Sequence, residues 1–321
     1  MQTYFVRRLL WIPILLLGIT LLDFTFINLA PGDPITSMIS PETLRDMPPE
    51  FIEARKQALG LNDPIPVRYI KWLGELLQGN LGYSISRVIA VSEIMKSAWQ
   101  SSILIVLPSL IISTTLGILL GILSALRPYS LIDYVLTILA FIVPATPSFF
   151  IAMGLIYLGA LKLQVFPTSG LYTPGQEATL VDVAHHLVLP VLALALGGVG
   201  DLMRYTRASL LEVLQQDYIV TARSKGLRES SILYRHTLRN ALLPIVTVIG
   251  LSLPTLFGGA FLIETIFNIP GMGSVMVTAT TKQDYPLMMG GLLLTAITIL
   301  VATFITDIAY ALIDPRIRFG N

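Results

Sequence analysis

The 321-residue chain has no cysteine, so neither a disulfide nor a thiolate metal site is available to it, and redox chemistry says nothing of its compartment. Histidine is almost as scarce, at three residues, which leaves little for catalysis or metal binding. No Gly-x4-Gly-Lys-Ser/Thr phosphate loop occurs anywhere. Charge is the largest deficit: 13% of residues are Asp, Glu, Lys or Arg, against roughly 25% in an ordinary soluble domain. The 21 basic and 20 acidic residues nearly cancel, to +1, so the chain lacks the basic excess of a nucleic-acid binder, and DNA and RNA drop out as main partners. What fills the space is apolar, at 54% of the sequence.

Lipid cannot satisfy bare backbone polar groups, so a bilayer core about 30 Å thick is crossed by helices of about 20 apolar residues. Six apolar runs answer to this, at 9–30, 103–126, 134–161, 187–199, 241–263 and 287–313; the fourth is short and is predicted to extend at one end. The first follows Arg7-Arg8 but is too long for a signal peptide, and no small-x-small cleavage site comes after it. The fold class is therefore an all-α membrane protein of six transmembrane helices. Orientation follows from Lys and Arg, which cytoplasmic segments retain. With the N-terminus inside, twelve of them are cytoplasmic: Arg7, Arg8, Arg127, Arg316, Arg318 and seven between the fourth and fifth spans (Arg204, Arg207, Arg223, Lys225, Arg228, Arg235, Arg239). The two shorter outside loops carry only Lys162 and Lys282, and the rest lie in the long first outside loop, where the rule has little force. Both termini are predicted to be cytoplasmic.

The chain divides into an N-terminus and first span (1–30), an outside loop (31–101) and a core of five spans (102–321). The loop opens on the turn signal Pro31-Gly32-Asp33-Pro34 and carries a second at Pro48-Pro49. Ile70, Leu73, Leu76 and Leu77 recur at helical spacing, which predicts a short amphipathic helix packed on the protein's own spans or offered to an external partner.

The cytoplasmic segment 201–240 is neither low-complexity nor proline-rich and is predicted to be ordered helix. Leu202 to Leu214 carries apolar residues at helical spacing, and Asp217 to Leu227 follows, with small residues at Thr221, Ala222 and Gly226. Small side chains let another surface approach closely, and Gly226 suits a left-handed helix end. Ser230 or Ser231 is positioned to cap the next helix. On periodicity alone, a solvated basic loop that merely anchors the spans competes evenly with a docking element.

The words of this segment resemble the cytoplasmic signature of ABC importer permeases. That signature runs Glu-Ala-Ala, three residues, Gly, nine residues, Ile-x-Leu-Pro; here it reads Val220-Thr221-Ala222, Arg223-Ser224-Lys225, Gly226, then His236-Thr237-Leu238-Arg239. The departures at Val220, Thr221, His236 and Arg239 match the version of dipeptide and oligopeptide permeases. Further family-like words follow in order along the chain: Leu59-Gly60-Leu61, Leu81-Gly82-Tyr83-Ser84, Phe166-Pro167-Thr168-Ser169-Gly170, His186 to Pro190, Glu264-Thr265-Ile266-Phe267, Pro270-Gly271-Met272-Gly273 and Asp314 to Arg318. The chain thus resembles the first of two permease subunits in such a system.

The resemblance implies the type I ABC importer permease fold, with a long external loop and a cytoplasmic coupling helix. It implies as partners a second homologous permease, two cytoplasmic ATPases, an external substrate-binding protein and membrane lipid, in a bacterial or archaeal plasma membrane. No cofactor is expected on this chain; ATP and Mg belong to the partner ATPases. In the family the coupling helix sits in a cleft of the ATPase, which here assigns that contact to Thr221, Ala222, Arg223, Lys225, Gly226 and Leu227. A bulky residue at Gly226 or Ala222 is then expected to uncouple ATP hydrolysis from transport. Peptides are the commonest cargo, with nickel complexes, glutathione or oligosaccharides as alternatives.

Within the spans, Pro144 and Pro147 in the third, and Pro244, Pro254, Gly258 and Gly259 in the fifth, predict kinks that either line a path or serve packing. Asp23 is a charge inside the first span and a functional candidate on that ground, with Thr25 and Asn28 as local hydrogen-bond partners or a water-filled cavity beside it. Gly117-x3-Gly121 predicts a close helix contact, and Asp307 an interfacial pairing with Arg316 or Arg318. His185 and His186 are adjacent, no spaced carboxylate joins them, and a shared metal site is not expected; His236 is structural. The competing classes are an ATP-independent secondary transporter, which usually has inverted repeats and buried charges, and a membrane enzyme, for which no cluster of reactive residues exists.

Overall fold

The computed structural model describes residues 2–32, 35–36, 48–58 and 60–313; the side chains at 2–9, 49, 55, 58, 239, 243–244, 251, 253–259 and 309–313 lie outside that description. The helices are α1 (Gln2–Leu29), α2 (Pro49–Ala58), α3 (Ile65–Leu77), α4 (Val91–Leu126), α5 (Leu131–Ala145), α6 (Ser148–Leu155), α7 (Leu180–Leu214), α8 (Asp217–Ser224), α9 (Glu229–Ser231), α10 (Leu238–Ile266), α11 (Met272–Thr281) and α12 (Tyr285–Ile313). Two π-helical turns, Ile156–Lys162 and Ile232–Thr237, continue α6 and lead into α10. No strand occurs among the described residues, only the isolated bridge between Tyr83 and Ala90.

The apolar runs become helices long enough to cross a bilayer in α1, α4, α7 and α12, and the third run becomes the pair α5 and α6, bent by 104°. The break has a direct cause: Pro144 lacks an N–H for the α5 ladder, Thr146 is extended at ψ 126°, and Pro147 starts α6 at its N-cap. The fifth run lies in α10, whose described apolar stretch is Asn240–Gly250. The short fourth run is extended at both ends, because Thr179 caps α7 through Asp182 N and the helix runs on to Leu214.

The chain forms two compact units, Met1–Ser101 with Pro270–Leu300, and Ser102–Ile269 with Val301–Asn321. In the first, Val91, Met95, Ala98, Val275, Ala279 and Leu287 make one core, while Phe24, Ile27 and Met289 make another that Ile65, Tyr69 and Trp72 of α3 cover. The aliphatic stripe expected to bury α3 is thus only partly used. Ile70 and Leu77 are 67% and 81% exposed, because the two aromatic rings, at helical spacing from Ile65, take the packing face.

The same unit explains the word Leu81-Gly82-Tyr83-Ser84. Gly82 has φ +77°, which turns the chain so that Val91 N donates to Gly82 O at 3.0 Å. The fully buried Asp284 carboxylate then accepts from Ser84 Oγ (2.6 Å), Ser86 N (2.9 Å), Ser86 Oγ (2.8 Å) and Ile85 N (3.1 Å). Burial raises the pKa of this acid, but the four hydrogen bonds together outweigh it and hold the group below the ordinary carboxylate range.

In the second unit Ile105, Val106, Leu189, Val191, Leu194, Ile263 and Phe267 form the main core. Gly117 and Gly121 lie against α7: a Cβ on Gly117 would stand 2.5 Å from Leu202 Cβ, and one on Gly121 2.5 Å from Thr206 Cβ. The spacing therefore serves helix packing. Two of the sequence words meet directly, Gly170 N donating to Phe267 O at 2.8 Å, while Ser102 Oγ donates to the buried Glu264 at 2.5 Å.

Candidate functional site

Two features of the second unit bear on the expected function: the segment 201–240, which begins in α7 and runs beyond it, and a cavity lined by residues of α4, α6, α7 and α10. The first half of the 201–240 segment is α7 itself, running on to Leu214. After Gln215 and Gln216, α8 carries Asp217 in its first turn and Arg223 in its last, charges that suit the two ends of the helix dipole. Its close is a Schellman motif: Gly226 at φ +75° donates to Arg223 O (2.9 Å) and Leu227 N to Ala222 O (3.3 Å). Gly226 is required by this turn. Among the described residues nothing lies within 4 Å of a Cβ built there, so no described neighbour needs the space.

The direction of each expected contact residue follows. Ile219 and Ala222 are buried with Ile232, so the small side chain of Ala222 faces inward and serves the chain's own packing. Thr221, Arg223, Lys225, Gly226 and Leu227 are exposed, with Tyr218 and Val220 beside them. Arg223 crosses the turn to Glu229 in a two-pronged ion pair (Nε to Oε1 2.8 Å, Nη2 to Oε2 3.2 Å), which holds the Glu229 carboxyl below its ordinary pKa and raises that of the guanidinium. The expected serine cap is absent: Arg228 is the N-cap of α9, and no side chain caps it.

This exposed helix is fastened at several points. Asn240 Nδ2 donates to Tyr218 Oη (2.9 Å), Ser209 Oγ to Ala241 O (2.9 Å), and Leu210, Ala241 and Ala125 share a core. On α7, Arg207 grips Asp133 of α5 with Nε and Nη2, both at 2.7 Å, and Asp133 also accepts from Tyr129 N and the Ser124 hydroxyl. Asp133 is 2% exposed. Three residues earlier Arg204 donates to Ala140 O and Asp201, and its guanidinium lies 4.6 Å from the centre of the Phe141 ring. Gly200 completes the seam, since a Cβ there would stand 2.6 Å from Ala140 O. Sequence reasoning missed this zipper. The signal was the i, i+3 spacing of Arg204 and Arg207 on one helix face, but the position of Asp133, 74 residues away, has no local signature.

The second feature is a cavity of about 390 Å³ lined by residues of α4, the start of α6, α7 and α10, among them Ser113, Ser148, Gly197, Asp201, Tyr205 and Ser252. The Pro144–Pro147 break brings Ser148 to its wall. Of the other expected pore residues, Pro254 and Gly258 lie outside the described side chains, as does Gly259. Asp23 belongs to the other unit and is half-buried on α1. The local partners expected for it are engaged elsewhere: Thr25 Oγ1 donates to Leu21 O and Asn28 Nδ2 to Phe24 O, both at 2.7 Å. Residues 314–321, and with them the pairing expected for Asp307, are outside the described residues.

The histidines differ from expectation in one respect. His186 Nδ1 lies 3.4 Å from Asp182 Oδ1, so a carboxylate does stand beside it, while His185 Nε2 is 2.6 Å from Val165 O. Among the described residues no group of three His, Cys, Asp or Glu is placed to hold a metal.

Comparison with known proteins places this geometry. Residues 117–319 match the family described as "Binding-protein-dependent transport system inner membrane component", and residues 1–92 match the N-terminal component of the same kind of system. The chain is 43% identical over 320 residues to the oligopeptide transport system permease protein AppB of Bacillus subtilis, covering 99% of this chain and 100% of that one. It is 34% identical over 339 residues to the dipeptide transport system permease protein DppB of Escherichia coli K12, covering 99% of each. Among solved structures it is similar to a chain of the MetNI methionine ABC transporter in inward-facing form, with a TM-score of 0.54 and 16% identity over 70% of this chain and 97% of that one. That likeness shows the fold.

Proposed function

Since the chain belongs to the family of binding-protein-dependent transport system inner membrane components, we propose that it is one permease subunit of an ATP-driven importer whose cargo is short peptides. The observation that carries this reading is similarity along the whole chain to permeases named for oligopeptide and dipeptide transport. On this reading the chain forms half of the path, a second homologous permease the other half, two cytoplasmic ATPases drive it, and an external binding protein delivers the cargo. It catalyses no reaction itself. It sits in the inner membrane of a bacterium or archaeon with both termini cytoplasmic.

The coupling role falls to α8 and the turn after it. Thr221, Arg223, Lys225, Gly226 and Leu227 are the exposed contact set, and Ala222 the inward residue that keeps α8 on Ile232. A transmission element must be rigid, and this one is pinned by Tyr218–Asn240 and by the α5–α7 ion pair of Asp133 with Arg207. Rigid-body movement of such an element can switch a path between outward- and inward-open states. Along the path, the break at Pro144 and Pro147 is the strongest candidate for a wall-forming element; Asp23, Pro254 and Gly258 remain candidates by sequence.

The test is assembly. An affinity-tagged chain, purified in mild detergent from cells that carry its genomic neighbours, is expected to bring down two ATPases and a second permease, and Thr221→Trp is expected to lose the ATPases while retaining the permease. A chain that purifies alone and moves cargo without ATP would remove the proposal.

A further inference from the structure

We propose that the face of α7 formed by Gly197 and Asp201 is a cation-preferring subsite of the transport path, which takes the ammonium end of the peptide cargo. The inference rests on the permease reading above and goes beyond it in naming a chemical preference and the residue that supplies it.

The geometry is set by one helical stripe. Leu194, Gly197, Asp201 and Tyr205 follow one another at three- and four-residue steps, and with Gly198 they all line the cavity of about 390 Å³. Asp201 is the one charged residue lining it among the described residues. Arg204, which is ion-paired with Asp201, also donates to Ala140 O, lies over the Phe141 ring and does not line the cavity, so the carboxylate is the member of the pair on the cavity wall. The Asp201 side chain is 51% exposed against 31% for Arg204, so the carboxylate is the group that incoming cargo meets.

Gly197 gives the second, independent observation. Its neighbour Gly198 is needed for packing, because a Cβ there would stand 3.2 Å from Ser113 Cβ. At Gly197 nothing lies within 4 Å of the built Cβ. A helix-interior glycine costs about 1 kcal/mol relative to alanine, and among the described residues no atom uses the room it leaves. That room adjoins the carboxylate one helical turn away, about 6 Å along the axis. The Ser148 and Tyr205 hydroxyls, which make no hydrogen bond to described residues, add neutral polar groups on the same wall. A carboxylate on the wall of a cavity whose other described lining residues are uncharged attracts a cation. The cation common to peptide cargo is the α-ammonium.

The absence of cysteine makes the test clean, since a single introduced thiol is the chain's only one. Gly197→Cys in the assembled importer is treated with two thiol-specific methanethiosulfonates of similar size, one carrying trimethylammonium and one sulfonate. After correction for their rates with a free thiol, the cationic reagent is expected to react roughly tenfold faster. Asp201→Asn is expected to bring the ratio near one and Asp201→Glu to restore it. In the importer without the introduced thiol, Asp201→Asn is expected to lower maximal trialanine uptake at saturating binding protein by about tenfold, and Asp201→Glu to restore it. A reagent ratio that Asp201→Asn does not move, or wild-type maximal uptake in that variant, overturns the proposal. Failure of the wild-type assembly to take up any peptide with ATP sinks the permease reading instead, and the reagent ratio then still reports whether the cavity prefers cations.

Discussion

Replacing Arg207 by leucine is the perturbation whose cost follows most directly from the structure. The substitution removes two of the hydrogen bonds to Asp133, each 2.7 Å, and the only cation among the described residues that contacts a carboxylate 2% exposed. Tyr129 N and the Ser124 hydroxyl remain, and they do not neutralise a buried charge. Breaking such a pair from one side typically costs about 3–5 kcal/mol. For a chain of this size that corresponds to a fall in unfolding midpoint on the order of 10 °C. Asp133→Asn is expected to cost less, about 1–2 kcal/mol, because the freed guanidinium, 25% exposed, can turn to water or headgroups. The double variant Arg207→Leu with Asp133→Asn is expected to be more stable than Arg207→Leu alone, since no buried charge is left unpaired. The assay is thermal unfolding of the purified chain in detergent, with the exposed Arg235→Leu as control. If Arg207→Leu melts within a degree or two of that control, or if the double variant loses the sum of the two singles, the reasoning is wrong.

Gly226→Ala is expected to destabilise the α8 turn by about 1–2 kcal/mol because its φ of +75° strains any Cβ, while Gly226→Asn costs less; protease nicking of the segment measures both. Ala222→Leu overpacks the contact with Ile219 and Ile232, at about 1–3 kcal/mol, so it should lower folded yield rather than uncouple a well-folded transporter. Gly121→Leu, which meets Thr206 and the backbone of Met203, is expected to abolish folded protein, read by size-exclusion profile. Asp284 predicts a pH effect. Its folded pKa is depressed, so its contribution is present above the unfolded value of about 3.9 and is lost as pH falls through the folded pKa. Unfolding midpoints between pH 6 and pH 3 should therefore decline less steeply in Asp284→Asn than in the parent chain.

Five of the six expected spans were legible because lipid imposes one strong rule on runs of apolar residues, while the fifth run is described as an apolar helix only over Asn240–Gly250. The proline break at 144–147 and the glycine packing at 117 and 121 were equally local, and both are present in the fold. Directions were harder. Ala222 faces the chain's own core because Ile232, ten residues on, returns to meet it, and no spacing within α8 encodes that return. The face of α3 went astray because only aliphatic residues were counted, whereas Tyr69 and Trp72 bury more surface and set the packing. The polar contacts that tie each unit together, Asp133 with Arg207 in the second and Asp284 with Ser84 in the first, join residues 74 and 200 positions apart. Such pairs depend on tertiary closure, and the sequence words contained one partner of the second without indicating the other.

The central claim is that α8 passes work from separate ATPases to a path this chain half encloses. The direct measurement is peptide accumulation in proteoliposomes rebuilt from purified parts. Accumulation is predicted only with both permeases, the ATPases, ATP and the external binding protein, and Thr221→Trp should abolish it while the spans stay folded. Accumulation at the full rate by this chain alone, or by the complete assembly without ATP, would contradict the account.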